Sequence, residues 1–474
     1  MRRWMSMFVV AGLVCLVVGT GYVMGDDGGA GGPSMGTAAA RALDSAPAAP
    51  VAPTAKDINS GDTAWVLMSS ALVLLMTIPG LAFFYGGLVR KKNVLTILMQ
   101  CFMLTCLISL QWVLFGYSLS FGPDVKGFIG NLSWAGLRGV SFDTPHWDVA
   151  SASSYAGTIP HQTFMIFQMM FAVITPALIL GAFADRMKFS AFCVFSLLWA
   201  TLVYDPVCHW VWGKGGFLGK MGALDFAGGT VVHINAGIAG LVAALMLGRR
   251  LGYPDKISPP HNLPFAVMGA ALLWFGWFGF NAGSALSAGG LATSAFVVTH
   301  IATAAAGLSW AAMDWVFNKR PTMLGIISGA VAGLVAITPA SGFVTVMGAI
   351  GIGIGAGVLP WIFVSVLKDK LGYDDALDAF GVHGVGGTWG ALATGLWAAK
   401  AINSAGADGL FYGNPGQFLI QCKAVLVTMA FSAVGTFIIL KLVDKMIGLR
   451  VSEHEERVGL DLTQHRESAY TVID

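Results

Sequence analysis

From Asp62 onwards, apolar runs of roughly twenty residues alternate with short polar stretches. A helix needs about 20 apolar residues to cross a bilayer core. The runs at 63–89, 93–120, 161–184, 189–211, 226–248, 263–285, 292–317, 322–340, 343–367, 379–400 and 417–443 therefore predict eleven transmembrane helices. The expected fold class is an all-α polytopic membrane protein. Positive charge marks the cytoplasmic loops. Arg90, Lys91 and Lys92 follow the first run, Arg186 and Lys188 the third, and Arg249, Arg250 and Lys256 the fifth. Lys319 and Arg320 follow the seventh run, and Lys368 and Lys370 the ninth. The opposite loops hold only Lys126, Arg138, Lys214, Lys220 and Lys400. This alternation predicts an outside N-terminus and a cytoplasmic C-terminus.

Two of the runs resemble each other. Asp225 to Arg250 reads DFAGGTVVHINAGIAGLVAALMLGRR, and Asp378 to Trp397 reads DAFGVHGVGGTWGALATGLW. Each opens with Asp, continues through Phe and Gly, presents one His and runs on in small residues. If runs one to five and six to ten are two halves, the odd count inverts the second half. His233 and His383 then fall on the last helix of each half, as matched residues of an inverted repeat should. The eleventh run stands outside the repeat.

Composition narrows the class. Apolar residues make up 56% of the 474 and charged residues only 11%, against about 25% in soluble domains. The 62 glycines suit helices that approach closely in a membrane. A formal net charge of +2 and no basic patch give no reason to expect nucleic acid. The six cysteines lie in or beside apolar runs and form no CxxC pair, so neither a disulfide framework nor a metal site is expected. Residues 1–25 read as a signal peptide and 26–60 as a disordered Ala/Gly/Pro-rich outer linker. Residues 61–447 form the membrane domain, and 448–474 a tail of mixed charge.

An ionisable residue in a span faces the bundle interior and marks a pathway or site. That applies to His233 and His383. Bis-His haem ligation is the competing reading of this pair. Trp210 and Trp212 close the fourth run, and an interfacial aromatic belt accounts for Trp210, whereas Phe280 lies deep in a segment that continues to Ser284. Aromatic faces attract cations and a hydroxyl accepts hydrogen bonds, so together they suit a small cation. Gln168 and Phe171 on the third run read as ordinary packing residues. Asp225 reads as a helix N-cap. No nucleophile–base set is visible, and no enzyme is expected.

Several long stretches resemble the ammonium transporter family (Amt/Mep/Rh), in its bacterial Amt branch. They are PGLAFFYGGLVRKKNVL from Pro79, GAFADRMKFSAF from Gly181, GALDFAGGTVVHINAGIAGLV from Gly222, WFGFNAGSA from Trp277, GAVAGLVAITPASG from Gly329, DAFGVHGVGG from Asp378 and GLRVSEHEERVGLDLTQH from Gly448. The resemblance implies eleven spans in two inverted five-helix halves plus a final helix, N-terminus out and C-terminus in. It implies a homotrimer in the bacterial cytoplasmic membrane with one pore per subunit, and no cofactor. Trp212, Ser284 and Phe171 would recruit ammonium, Phe171 and Phe280 would gate, and His233 and His383 would line the pore. Asp225 would be structural near the outer site. Gln168, Tyr85 and Trp277 would line parts of the path. The resemblance also implies a regulatory tail that docks a PII-type signal protein, and it assigns nothing to His300, for which a hydrogen bond within the bundle is expected. An ammonium sensor of the same fold is the alternative, although sensors carry an extra cytoplasmic domain.

Overall fold

The computed structural model describes residues 51–149, 151–255 and 259–470. The predicted signal peptide, the linker up to residue 50, Cys15 and Lys256 lie outside the described residues. Nine described segments are long and apolar enough to cross a membrane. They are α1 (Ser60–Leu88), α2 (Lys91–Phe121), α3 (His161–Phe183), α4 (Phe189–Lys220), α5 (Gly229–Leu247), α6 (Leu263–Gly283), α7 (Gly290–Asn318), α9 (Val346–Leu371) and α11 (Pro415–Ile447). Two further helices occupy the predicted eighth and tenth positions: α8 (Met323–Ile337) is only 15 residues long, and α10 (Phe380–Val385 with Gly386–Trp397) is diluted by glycine. Beyond the helices, a two-residue antiparallel pair among the described residues joins Asp124–Val125 to Ile129–Gly130.

Local chemistry starts these helices where they start. Asn59 and Asn262 accept hydrogen bonds from the backbone N–H groups of Asp62 and Phe265, capping α1 and α6. Thr322 does the same for α8 through Gly325 N–H at 2.9 Å. With hydrocarbon on the outside, helices gain little from apolarity alone and associate through close packing. The α7–α8–α9 face shows how: a Cβ added to Gly353 would stand 2.3 Å from the Ala302 carbonyl oxygen, and one on Gly329 would stand 2.5 Å from Trp310 Cβ.

The tail is not the solvated strand that its charges suggest. Lys188 N–H donates to the Leu449 carbonyl at 2.9 Å and Val451 N–H to that of Arg186 at 3.1 Å. Leu460 N–H donates to Asn93 Oδ1 at 2.8 Å. Asp461 accepts from Leu95 N–H at 3.1 Å, Thr96 N–H at 2.8 Å and the Thr96 hydroxyl at 2.8 Å, so a tail carboxylate caps α2. Nearby, Arg250 pairs with Asp374 at 2.7 Å and approaches Asp185 at 3.6 Å.

Candidate functional site

Two aspartates organise the helices that carry the histidines. Asp225 accepts from the backbone N–H groups of Gly228, Gly229, Thr230 and Val231 at 2.8, 2.6, 2.8 and 3.2 Å, and from the Thr230 hydroxyl. This carboxylate satisfies the donors that a helix N-terminus leaves open. Gly228 takes φ +119°, which no bulkier residue adopts cheaply, to wrap the chain around it. In the second stretch the capping carboxylate is Asp375, which accepts from Ala379 N–H at 3.0 Å and Phe380 N–H at 2.8 Å. The sequence pairing of Asp225 with Asp378 is thereby corrected. Asp378 instead meets the Lys368 ammonium, and Asp225 and Asp375 each precede their histidine by eight residues. Burial, reinforced by the neighbouring Asp378, pushes the Asp375 carboxyl up, while Lys368 and the two N–H donors oppose this.

The histidine helices touch through glycine. A Cβ on Gly237 would lie 2.1 Å from Gly384 N, and one on Gly387 would lie 2.9 Å from His233 Cβ. This approach brings His233 Nδ1 to 3.3 Å from His383 Nδ1. The rings are 5.3 Å apart and nearly parallel, at 18°. One hydrogen fits between two such nitrogens, so one ring donates and the other accepts. His233 Nε2 has no hydrogen-bond partner among the described residues. Axial ligation of one haem iron through these facing nitrogens would set them about 4 Å apart, as two metal–nitrogen bonds of about 2.0–2.1 Å, with a macrocycle between. The geometry does not fit that reading.

Aromatic rings lead away from the pair. His233 lies against Trp277 at 5.4 Å and Phe280 at 6.0 Å. Phe280 meets Phe171 at 4.4 Å with the rings tilted by 48°, and Phe171 meets Trp212 edge-on at 5.7 Å. Trp212 is held by its indole N–H, which donates to the Asp225 carbonyl at 2.8 Å. Ser284 caps the end of α6 and donates to the Phe280 carbonyl at 2.8 Å, which leaves its oxygen free to accept. Thus Trp212, Phe171, Phe280, His233 and His383 form one continuous line.

A narrow cavity lies along this line. Its polar wall is His233 and His383, and Phe84, Leu178, Trp277 and Phe280 are among its apolar walls. Trp277 is fixed by donating to the Thr338 hydroxyl at 2.9 Å. Tyr85 lies just behind the wall, where its hydroxyl donates to the Leu178 carbonyl at 3.1 Å. Gln168 is buried on α3, one turn from Phe171, and its Oε1 has no partner among the described residues. His300 is exposed on α7, with its ring 5.3 Å from Trp274 and no hydrogen bond among the described residues, so the expected bond within the bundle is not found. Sequence reading missed Asp375; the shared eight-residue spacing to histidine was the available signal.

The model of the Ammonium Transporter Family matches residues 64–470. The chain belongs to this family. An ammonium transporter of Bacillus subtilis (strain 168) is 55% identical over 413 residues, which cover 87% of this chain and 99% of the relative. One from Aquifex aeolicus is 50% identical, over 88% of this chain and 94% of the relative. The crystal structure of Saccharomyces cerevisiae Mep2 superimposes with a TM-score of 0.77 at 36% identity, covering 84% of this chain and 89% of that one. A structure titled Sensor Amt Protein superimposes at 0.75 with 30% identity, covering 85% and 98%. The protein is a multi-pass membrane transporter of ammonium, and the higher identity to transporters favours transport over sensing.

Proposed function

We propose that ammonium is recruited at Trp212, Ser284 and Phe171, loses its proton at the tilted Phe171–Phe280 pair and crosses as ammonia past His233 and His383. The observation that carries this reading is the sequence of rings: an aromatic and hydroxyl mouth, a phenyl constriction, then two imidazoles sharing a hydrogen in an apolar cavity. Ammonium and potassium are alike in size and charge. Ammonium alone donates directed hydrogen bonds, which the Ser284 oxygen can accept. A bare cation is costly in an apolar channel. With one hydrogen shared between the two Nδ1 atoms, the donating ring keeps a bare Nε2 and the accepting ring an Nε2–H, which offer ammonia an acceptor and a donor without placing a charge there.

The proton either remains at the mouth or travels separately along the imidazoles. Eleven spans with the N-terminus outside, a homotrimer in the bacterial cytoplasmic membrane and a PII-type partner at the tail belong to this proposal, as does the absence of enzyme activity. Solid-supported membrane recordings test it. Ammonium pulses should give a signal that potassium pulses do not. His233→Ala or His383→Ala should abolish that signal or convert it to a potassium leak. Unchanged selectivity and rate in both variants would refute the role of the pair.

A further inference from the structure

A second arrangement of aromatic face and hydroxyl lies at the Trp212 end of the line, and it already holds an ammonium group. The Lys214 ammonium sits 5.2 Å from the centre of the Tyr155 ring and donates to the Ser153 hydroxyl at 2.5 Å. The Ser153 and Ser151 hydroxyls are 2.7 Å apart, and Ser151 hydrogen-bonds the Asp148 carboxylate. Each hydroxyl can therefore point its hydrogen toward Asp148 and its lone pairs toward the cation. The ring is fixed beforehand. The Tyr155 hydroxyl donates to the Phe121 carbonyl at 2.9 Å and accepts Lys214 N–H at 2.9 Å. Its face lies flat on Phe164, at 4.8 Å and 9°. Phe164 shares a face of α3 with Gln168 and Phe171, at i, i+4 and i+7, so this arrangement continues the aromatic line outward.

We propose that Tyr155, Ser153 and the hydroxyl chain to Asp148 form a second ammonium-binding site, which Lys214 closes with its own ammonium group. The site takes small primary ammonium ions, and Lys214 acts as a tethered competitor that sets the affinity of uptake. The inference rests on ammonium being the transported ion. It does not rest on Trp212 and Ser284 being the recruitment residues.

The test measures equilibrium binding of radiolabelled methylammonium to the purified full-length protein, and its uptake into proteoliposomes. Lys214→Met should add one bound methylammonium per chain and lower KM about two- to five-fold, the range expected of a partly exposed cation–π contact. Adding Ser153→Ala should cancel both gains. Lys220→Met removes a charge from a 66% exposed side chain at the same end and should change neither. Trp212→Leu with Ser284→Ala in the Lys214→Met background should remove only the first site, so failure of that assignment is read separately. No added site in Lys214→Met overturns the proposal, and so does an equal gain in Lys220→Met. Should Lys214→Met fold poorly, the wild-type chain carrying 13C-dimethylated lysines provides the check. The Lys214 signal, assigned by its loss in Lys214→Arg, should shift saturably with methylammonium, and a constant signal overturns the proposal.

Discussion

Replacing Gly237 by alanine adds one methyl group at the contact between the histidine helices. That carbon would lie 2.1 Å from Gly384 N, 2.3 Å from Gly384 Cα and 2.9 Å from the His383 carbonyl carbon, all backbone atoms. An ordinary contact begins near 3.4 Å, so the helices must part by about 1.3 Å. Added to the present Nδ1–Nδ1 distance of 3.3 Å, such a shift breaks the hydrogen bond between the rings. Overpacking of this kind costs about 1–3 kcal/mol. The sign of the effect is diagnostic, because alanine in place of a helical glycine otherwise stabilises by about 0.5–1 kcal/mol. Thermal unfolding followed by tryptophan fluorescence should therefore show Gly237→Ala melting lower than wild type. Gly290→Ala, whose added carbon meets nothing within 4 Å, should melt at the same temperature or higher. Ammonium uptake into proteoliposomes should fall by roughly tenfold or more, the equivalent of about 1.4 kcal/mol. A Gly237→Ala protein that melts higher and transports normally would refute the close-approach argument.

Asp225→Ala leaves four backbone donors without their carboxylate, and should cost more than the ~1 kcal/mol of an ordinary cap; unfolding midpoints measure this, and Asp225→Asn should lie between. Phe280→Ala opens the phenyl constriction and should admit a potassium current absent from wild type, read on solid-supported membranes. Asp461→Ala uncaps α2 and should make the tail more readily cleaved by protease, at a stability cost of about 1 kcal/mol. Burial, with the Lys214 cation adding to it, pushes His146 down to about 4, below the value of about 6.5 for the unfolded chain. The unfolded state then binds more protons between these values, so stability falls as pH drops from about 6.5 toward 4. The protection factors of residues 151–155 against hydrogen exchange, which remove the intrinsic pH dependence of the amides, should fall over that window, and His146→Phe should reduce the fall.

The spans were legible because lipid imposes one simple constraint on sequence, a minimum apolar length. Legibility faded where packing replaced apolarity. The tenth helix carries Gly381, Gly384, Gly386, Gly387 and Gly390, which lower its hydropathy but allow contacts such as that of Gly387 with His233. The line from Trp212 to His383 could be named from motifs, while the 48° tilt between Phe171 and Phe280 could not. Asp375 was hidden because Asp378 imitates the letters around Asp225; only counting to the histidine separates them. Lys214 read as a stray loop charge because its partners, Ser153 and Tyr155, are about sixty residues away. The tail's mixed charges gave no sign of its docking, because partners such as Asn93, Leu95 and Thr96 are more than 360 residues away.

The single hydrogen between His233 and His383 also gives the pair a direction. A proton arriving at the Nε2 of the accepting side of this chain would push each hydrogen one place along, and another would depart from the far ring. Both rings would then hold the opposite tautomer, and a second proton following the same route would find the receiving nitrogen already occupied. Such a wire would discharge once and need rearming, by tautomer exchange or by ring rotation, which for His233 means turning against Trp277 and Phe280. Ammonia passing alongside leaves the tautomers as they were. If the proton takes this route, the two cargoes run on separate clocks, and the slower clock belongs to the proton.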